Sequence, residues 1–105
     1  MTVPSQTRVR TGSLKDLDEL LRLENAGFKL DRFSRNQFRY LLTRANSTTY
    51  ILEDGHNVKG AAIMLWKKSP SIGRLYSIVI DPAFQGQGLS TRLMDICEKD
   101  AVEKN

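Results

Sequence analysis

The sequence predicts an α+β domain, a mixed and mainly antiparallel sheet flanked by helices. Three observations carry this. Two serine-led helix starts, each followed by apolar residues at helical spacing, stand in the first half of the chain. Three strand-like segments then follow one another with no helical pattern between them. The last of them runs through a glycine-bearing loop into a final helix. Consecutive strands argue against a doubly wound sheet, in which strands and helices alternate.

The elements follow in order. Residues 1–7 read as a disordered tail, and Arg8 to Thr11 as a short strand with Val9 inward. Ser13 is a good N-cap, with Asp16 three residues later as its acidic partner. Leu14, Leu17, Leu20 and Leu21 extend a first helix to about Asn25, and Gly27 ends the pattern. The stretch Phe28 to Phe33 is a loop. Ser34 and Gln37 form a second capping box, ahead of Phe38, Leu41, Leu42 and Ala45 on one helix face. Thr48 to Glu53 is rich in β-branched and aromatic residues, hence a strand. Asp54-Gly55-His56-Asn57 is a turn. Ala61 to Trp66 is unbroken apolar sequence, which suits a strand covered on both faces. Ser69 to Gly73 is a turn, and Leu75 to Ile80 a strand stopped by Asp81-Pro82. The last helix starts near Gln87, with Leu89, Leu93, Ile96 and Cys97 on its buried stripe. The order is β-α-α-β-β-β-α.

Composition narrows the function classes. A chain of 105 residues is one domain at most. No apolar run reaches the ~18 residues that span a bilayer, and no secretory h-region opens the chain. The single cysteine forbids an intrachain disulfide, so a reducing, cytoplasmic setting is expected. The net charge of +4 is spread along the chain. Without a basic stripe or interleaved aromatics, a small nucleic-acid binder is the least favoured class.

The informative segment is Leu75 to Met94. A strand enters a loop with Gly86 and Gly88, and the loop opens a helix. The first N–H groups of a helix lack intrahelical partners, and with the helix dipole they attract anions. Glycines let a phosphate approach the backbone closely. A Walker A loop needs Gly-Lys-Ser/Thr, and this loop has no lysine. A Rossmann fingerprint needs a third glycine where Thr91 stands, and an acidic residue ~20 positions on, for which there is no room. Gln85-Gly86-Gln87-Gly88-Leu89-Ser90 instead resembles the Q/R-x-x-G-x-G/A signature of the GNAT acetyltransferase superfamily, with Ser90 replacing the last small residue. The strand ending in Asp81-Pro82, Phe84 just before Gln85, and Leu89, Leu93 and Met94 in the helix all sit where that superfamily has them. The resemblance spans residues 8–105. Glu24-Asn25-Ala26-Gly27-Phe28 leading to Ser34 is similar to the branch that acetylates ribosomal-protein alanine and other N-terminal amines.

The resemblance implies acetyl-CoA as cosubstrate, no metal, and an acceptor that is an amine-bearing small molecule or a protein N-terminus. It implies that Ile78, Val79 and Ile80 offer backbone groups to the pantetheine arm and acetyl carbonyl. Gln85, Gly86, Gln87, Gly88, Leu89, Ser90 and Thr91 would cradle the pyrophosphate. Family domains usually continue through another strand, a helix and a hairpin, often with a tyrosine that protonates the leaving thiolate. The chain therefore reads as the N-terminal and central part of such a domain, truncated at its C-terminus, with little turnover expected from it alone. A non-catalytic acyl-CoA-binding or protein-interaction domain is the alternative. The strand Leu75–Ile80, lacking its neighbour and any Lys or Pro, would be an edge prone to self-association or fast amide exchange.

Other residues are weighed one by one. His56 is expected to be an exposed turn residue, and Cys97 a small buried one without a catalytic partner. Glu24 lies on the apolar stripe of the first helix. It is a weak candidate for binding or deprotonating an amine, against a solvated helix end. Tyr76 is expected to pack in the core, with the substrate cleft as the alternative. Ser77 precedes the cofactor strand, Trp66 is expected to pack, and Asp31 and Phe33 are weak substrate-loop candidates.

Overall fold

The computed structural model describes residues 7–27, 34–43, 46–55, 57–67 and 73–104. Seven main elements appear in the expected order: β1 (Arg8–Thr11), α1 (Leu17–Gly27), α2 (Arg35–Thr43), β2 (Ser47–Glu53), β3 (Val58–Trp66), β4 (Gly73–Ile80) and α3 (Leu89–Lys104). The strands form one sheet in the order β1-β2-β3-β4, and each neighbouring pair is antiparallel.

The two capping signals act differently. At Ser34 both halves of the box form: Ser34 N–H donates to Gln37 Oε1 at 2.7 Å, and Gln37 N–H to Ser34 Oγ at 3.2 Å. Ser13 instead heads a 3-10 turn, Leu14–Asp16, with the α-helix beginning only at Leu17. Its N–H donates to Asp16 Oδ2 at 2.9 Å. The tighter turn throws Leu14 off the helical stripe, and it is 49% exposed rather than buried as its spacing suggested. Asp16 is buried because Arg10 grips it, with Nη2 2.7 Å from Oδ1, while Arg10 Nε reaches Glu53 at 2.8 Å. The Arg10 hydrogen bond holds the Asp16 carboxyl below its ordinary range.

The starts of β3, β4 and α3 also differ from expectation. β3 starts at Val58, three residues early, because a bulge takes up Lys59: Leu52 pairs with Gly60 and Glu53 with Val58. Lys59 interrupts the apolar pattern yet is well covered, with Nζ 3.0 Å from Thr7 Oγ1 and 3.5 Å from Asp54. β4 starts at Gly73, which pairs with Trp66, so the strand also includes Arg74. α3 starts at Leu89, two residues after Gln87, because Gly88 has φ +74 and cannot be helical.

The sheet separates two cores. On one face Leu17, Leu20 and Leu23 of α1 and Phe38 and Leu41 of α2 pack on Ile51, Ala61 and Ile63. On the other, Leu89, Leu93 and Cys97 of α3 pack on Tyr50, Leu52, Ala62 and Met64. β3 is thus buried on both faces, as its unbroken apolar run required. Leu23, Ile51, Leu52 and Leu93 are wholly enclosed, each stabilising the fold by about 1.5–3 kcal/mol relative to an exposed position. β4 is the last strand of the sheet, and its outer edge has no strand partner among the described residues.

Candidate functional site

Two sites lie at opposite ends of β4. At its C-terminal end the chain leaves the sheet through Asp81, whose N–H donates to Lys59 O at 2.8 Å. Asp81 Oδ1 accepts the Ala83 N–H at 2.9 Å, which caps the 3-10 turn Pro82–Phe84. Asp81 Oδ2 meets Arg22 Nη1 at 2.6 Å. Arg22 in turn donates to Val58 O at 2.9 Å and pairs with Glu19 at 2.7 Å. The Ala83 N–H first, then Arg22, keep the Asp81 carboxyl below its ordinary range. This bracket ties the loop's entry to α1. Phe84 packs against the α3-side core, with Lys59 Nζ 5.1 Å from its ring centre.

Gln85 to Gly88 then turn the chain into α3. Gly86 and Gly88 take φ +84 and +74, which side-chain-bearing residues rarely adopt. A Cβ on either would meet no protein atom within 4 Å. The glycines therefore answer a backbone requirement, and the space beside them is open. It forms a hollow of about 240 Å³, walled by Ile80, Phe84, Gln85, Gly86, Gly88, Leu89 and Ser90. Arg92 N–H donates to Gly88 O at 3.2 Å and closes the first helical turn. The N–H groups ahead of it have no helical carbonyl to meet. A sixteen-residue helix with this head can receive a phosphate.

Along β4, Ile78 and Ile80 face the α3 core and Val79 faces the α1–α2 core. Their side chains are committed to packing, so their open feature is the backbone edge. Leu89, named with the loop, sends its side chain into the core and is 8% exposed. Gln85, Gly86, Gln87, Gly88, Ser90 and Thr91 are exposed.

The other end of β4 carries a bulge. Ile63 pairs with Ser77 and Met64 with Leu75, so Tyr76 is the extra residue. It is 45% exposed, which corrects the expectation of core packing. It lines a cleft of about 720 Å³ with Asn36, Gln37, Tyr40 and Leu41 of α2, Asn46, Leu65, Trp66, Lys67 and Arg74. Trp66 is held by its Nε1–H bond to Thr48 Oγ1 at 2.9 Å and by a backbone bond to Asn46 at 2.9 Å.

Glu24 is not a solvated helix end: it is 2% exposed, on the same stripe as Leu17 and Leu20, and is not among the cleft's lining residues. Cys97 is buried as expected, and burial pushes its thiol up to about 11. Trp66 packs against the α3-side core as expected, while its exposed part joins the cleft. Asp31, Phe33 and His56 lie outside the described residues. Tyr40, Lys67, Arg74 and the Arg22–Asp81 bracket were not singled out from sequence. Tyr40 had a readable signal, an aromatic off the apolar stripe of α2, and it is 57% exposed. The bracket had none, since its partners are 59 residues apart.

The chain belongs to the acetyltransferase (GNAT) family, whose model matches residues 14–105. It is 25% identical to an uncharacterized N-acetyltransferase of Archaeoglobus fulgidus, with 92% of this chain and 75% of that protein covered. A ribosomal-protein-alanine N-acetyltransferase of Escherichia coli superposes with TM-score 0.83 at 17% identity, covering 94% of this chain and 61% of that one. An aminoglycoside acetyltransferase from an uncultured soil metagenomic sample, solved with sisomicin, gives TM-score 0.76 at 19% identity, covering 93% of this chain and 71% of that one. At these identities the structural likeness is one of fold. The chain spans 61–75% of the length of these relatives. Among the described residues no helix is long and apolar enough to cross a membrane, and no group of three or more His, Cys, Asp or Glu is placed to hold a metal ion.

Proposed function

We propose that residues 8–105 form the cofactor-binding part of an N-acetyltransferase, which carries acetyl from acetyl-CoA to a primary amine. The observation that carries this reading is the pair Gly86 and Gly88, with φ +84 and +74 and open space where side chains would be, at the head of α3. That cradle suits a pyrophosphate. Acetyl-CoA would supply an activated thioester, whose acetyl group passes to the amine nitrogen as the carbon–sulfur bond breaks, the amine's proton leaving with the thiol.

The chain's own residues have separate tasks. Backbone N–H groups from Gly86 to Thr91 hold the phosphates, aided by the helix dipole. The free edge of Ile78, Val79 and Ile80 holds the extended arm as an added strand would be held. The cleft at Tyr76 holds the acceptor, so that the two substrates meet on β4. Positioning of this kind can account for several kcal/mol of a barrier. The acceptor is an amine-bearing small molecule or a protein N-terminus, as in the similar enzymes named above.

One observation favours a second reading, binding without turnover. The described walls of the cleft hold no carboxylate and no histidine to take the amine's proton. Calorimetric titration with acetyl-CoA tests the first reading at its base. Saturable binding is expected, and Gly88→Val should remove it. Absent binding, or binding indifferent to that substitution, would contradict it. Release of free thiol in the presence of amines then separates the two readings.

A further inference from the structure

The side chains of the cleft narrow the acceptor's chemistry. Some basic groups elsewhere in the molecule are paired: Arg10 with Asp16 and Glu53, Arg22 with Asp81, Arg35 with Asp18, Lys59 with Asp54. Lys67 and Arg74 stand together at the cleft. Both line the cleft, both are exposed, and neither meets a carboxylate among the described residues. The cleft's described walls contribute two cations and no anion. They also contribute three aromatic rings, Tyr40, Trp66 and Tyr76, from three different elements.

Taking the reading above as its basis, we propose that this cleft selects a small aromatic amino acid: an amine, a carboxylate and a planar apolar group in one molecule. The carboxylate meets the Arg74 guanidinium, whose planar fork matches it in two parallel hydrogen bonds. The ring lies among Tyr40, Trp66 and Tyr76, where aromatic contacts add to plain burial. The volume, about 720 Å³, lies in the small-molecule range of roughly 300–1,000 Å³. Tyr76 stands four residues before Ile80, about 13 Å along the strand. The amine is thereby placed at the end of β4 away from the glycine loop, where the acyl end of an arm laid along the edge arrives. A polycation such as an aminoglycoside meets Lys67 and Arg74 with no acidic group to offset them, and is excluded by like charge.

Trp66 is the only tryptophan of the chain, so tryptophan emission comes from a ring that lines the cleft. Titration of the whole chain with L-phenylalanine, with and without coenzyme A, should shift that emission saturably. Phenethylamine, which lacks the carboxylate, should bind about tenfold more weakly, and sisomicin should not compete. Arg74→Ala should weaken phenylalanine binding about tenfold, and Arg74→Lys should restore part of it. Lys67→Ala, also at an exposed position, gives a second check that does not depend on Arg74. The proposal is overturned if phenethylamine or sisomicin binds as tightly as phenylalanine, if Arg74→Ala has no effect, or if phenylalanine leaves Trp66 unchanged. Preference for the peptide Phe-Gly-Gly over phenylalanine would also overturn it. Coenzyme A binding is read separately, by amide shifts in the glycine loop. Its failure with carboxylate-dependent phenylalanine binding intact would sink the cofactor reading and leave the cleft a ligand site. The converse would sink only the present inference.

Discussion

The two ends of β4 are built on different principles. At the C-terminal end the working parts are backbone: two glycines with positive φ, the head of a helix and a free strand edge. At the N-terminal end they are side chains that α2, β3 and β4 bring together from positions 36 to 76. A backbone site has to be spelled out in a short contiguous stretch, because only glycine takes those angles cheaply. A side-chain cleft has no such local rule and can vary its chemistry while the sheet stays the same. On the reading proposed above, one end marks a family, and the other sets what a particular member accepts.

The largest expected effect separates the two ends. Gly88→Val adds about 1–3 kcal/mol of backbone strain and fills the hollow beside the glycine loop. It should abolish coenzyme A binding while leaving Trp66 emission and its response to cleft ligands intact. Tyr40→Ala should do the reverse. A single substitution that removes both would break the comparison, and paired titrations of the two variants decide it.

Next in size is Arg22. Its bond to Asp81 holds the loop's entry against α1. Arg22→Ala should weaken coenzyme A binding a few-fold, with Arg22→Lys intermediate. The stability cost should stay within about 1 kcal/mol, since the Arg22 side chain is 43% exposed and its ion pairs are screened. Comparison of binding isotherms with denaturant midpoints separates loop positioning from general destabilisation.

Acid should act on the scaffold and the loop end rather than on the cleft. Asp16 and Asp81 both titrate below their ordinary value of 3.8, through the hydrogen bond from Arg10 and the Ala83 N–H respectively. Their folded values are depressed, so the stability they add is fully present above about 3.8 and is lost as pH falls through the folded values. Asp16→Asn should flatten the stability–pH curve below pH 4, as followed by denaturant unfolding at several pH values. A curve that keeps its slope in the variant would remove Asp16 from the account.

Most of the fold was legible because its signals are local. The Ser34–Gln37 box, the apolar run of β3 and the Asp81-Pro82 stop each depend on neighbours in sequence. The motif loop was legible for the same reason. What escaped depended on geometry or distance. Leu14 fits the helical spacing but falls in a 3-10 turn. Gly88 fits the loop, but its positive φ delays α3 to Leu89. Tyr76 alternates correctly for a buried strand residue until a bulge turns it outward. Glu24 lies on the apolar stripe, but a carboxylate near a helix end can equally be solvated, and packing decides that it is buried. No pattern in the chain brings Tyr40, Arg74 and Lys67 together, because the sheet does that.

The smallest expected effect concerns the edge itself. Unoccupied, Ile78 and Ile80 should exchange their amide hydrogens faster than Ala62 in the interior strand, or the chain should self-associate through this edge with rising concentration. Coenzyme A should suppress either behaviour. A strictly monomeric chain with slow exchange at both isoleucines would contradict the open edge.

On the reading proposed above, coenzyme A lies along the edge of β4 with its phosphates at the head of α3. Residue-resolved amide shifts on adding coenzyme A test this most directly. Shifts should concentrate at Ile78–Ile80 and Gly86–Thr91, with the Arg35–Thr43 helix little changed. Shifts confined to that helix, with the glycine loop silent, would contradict it.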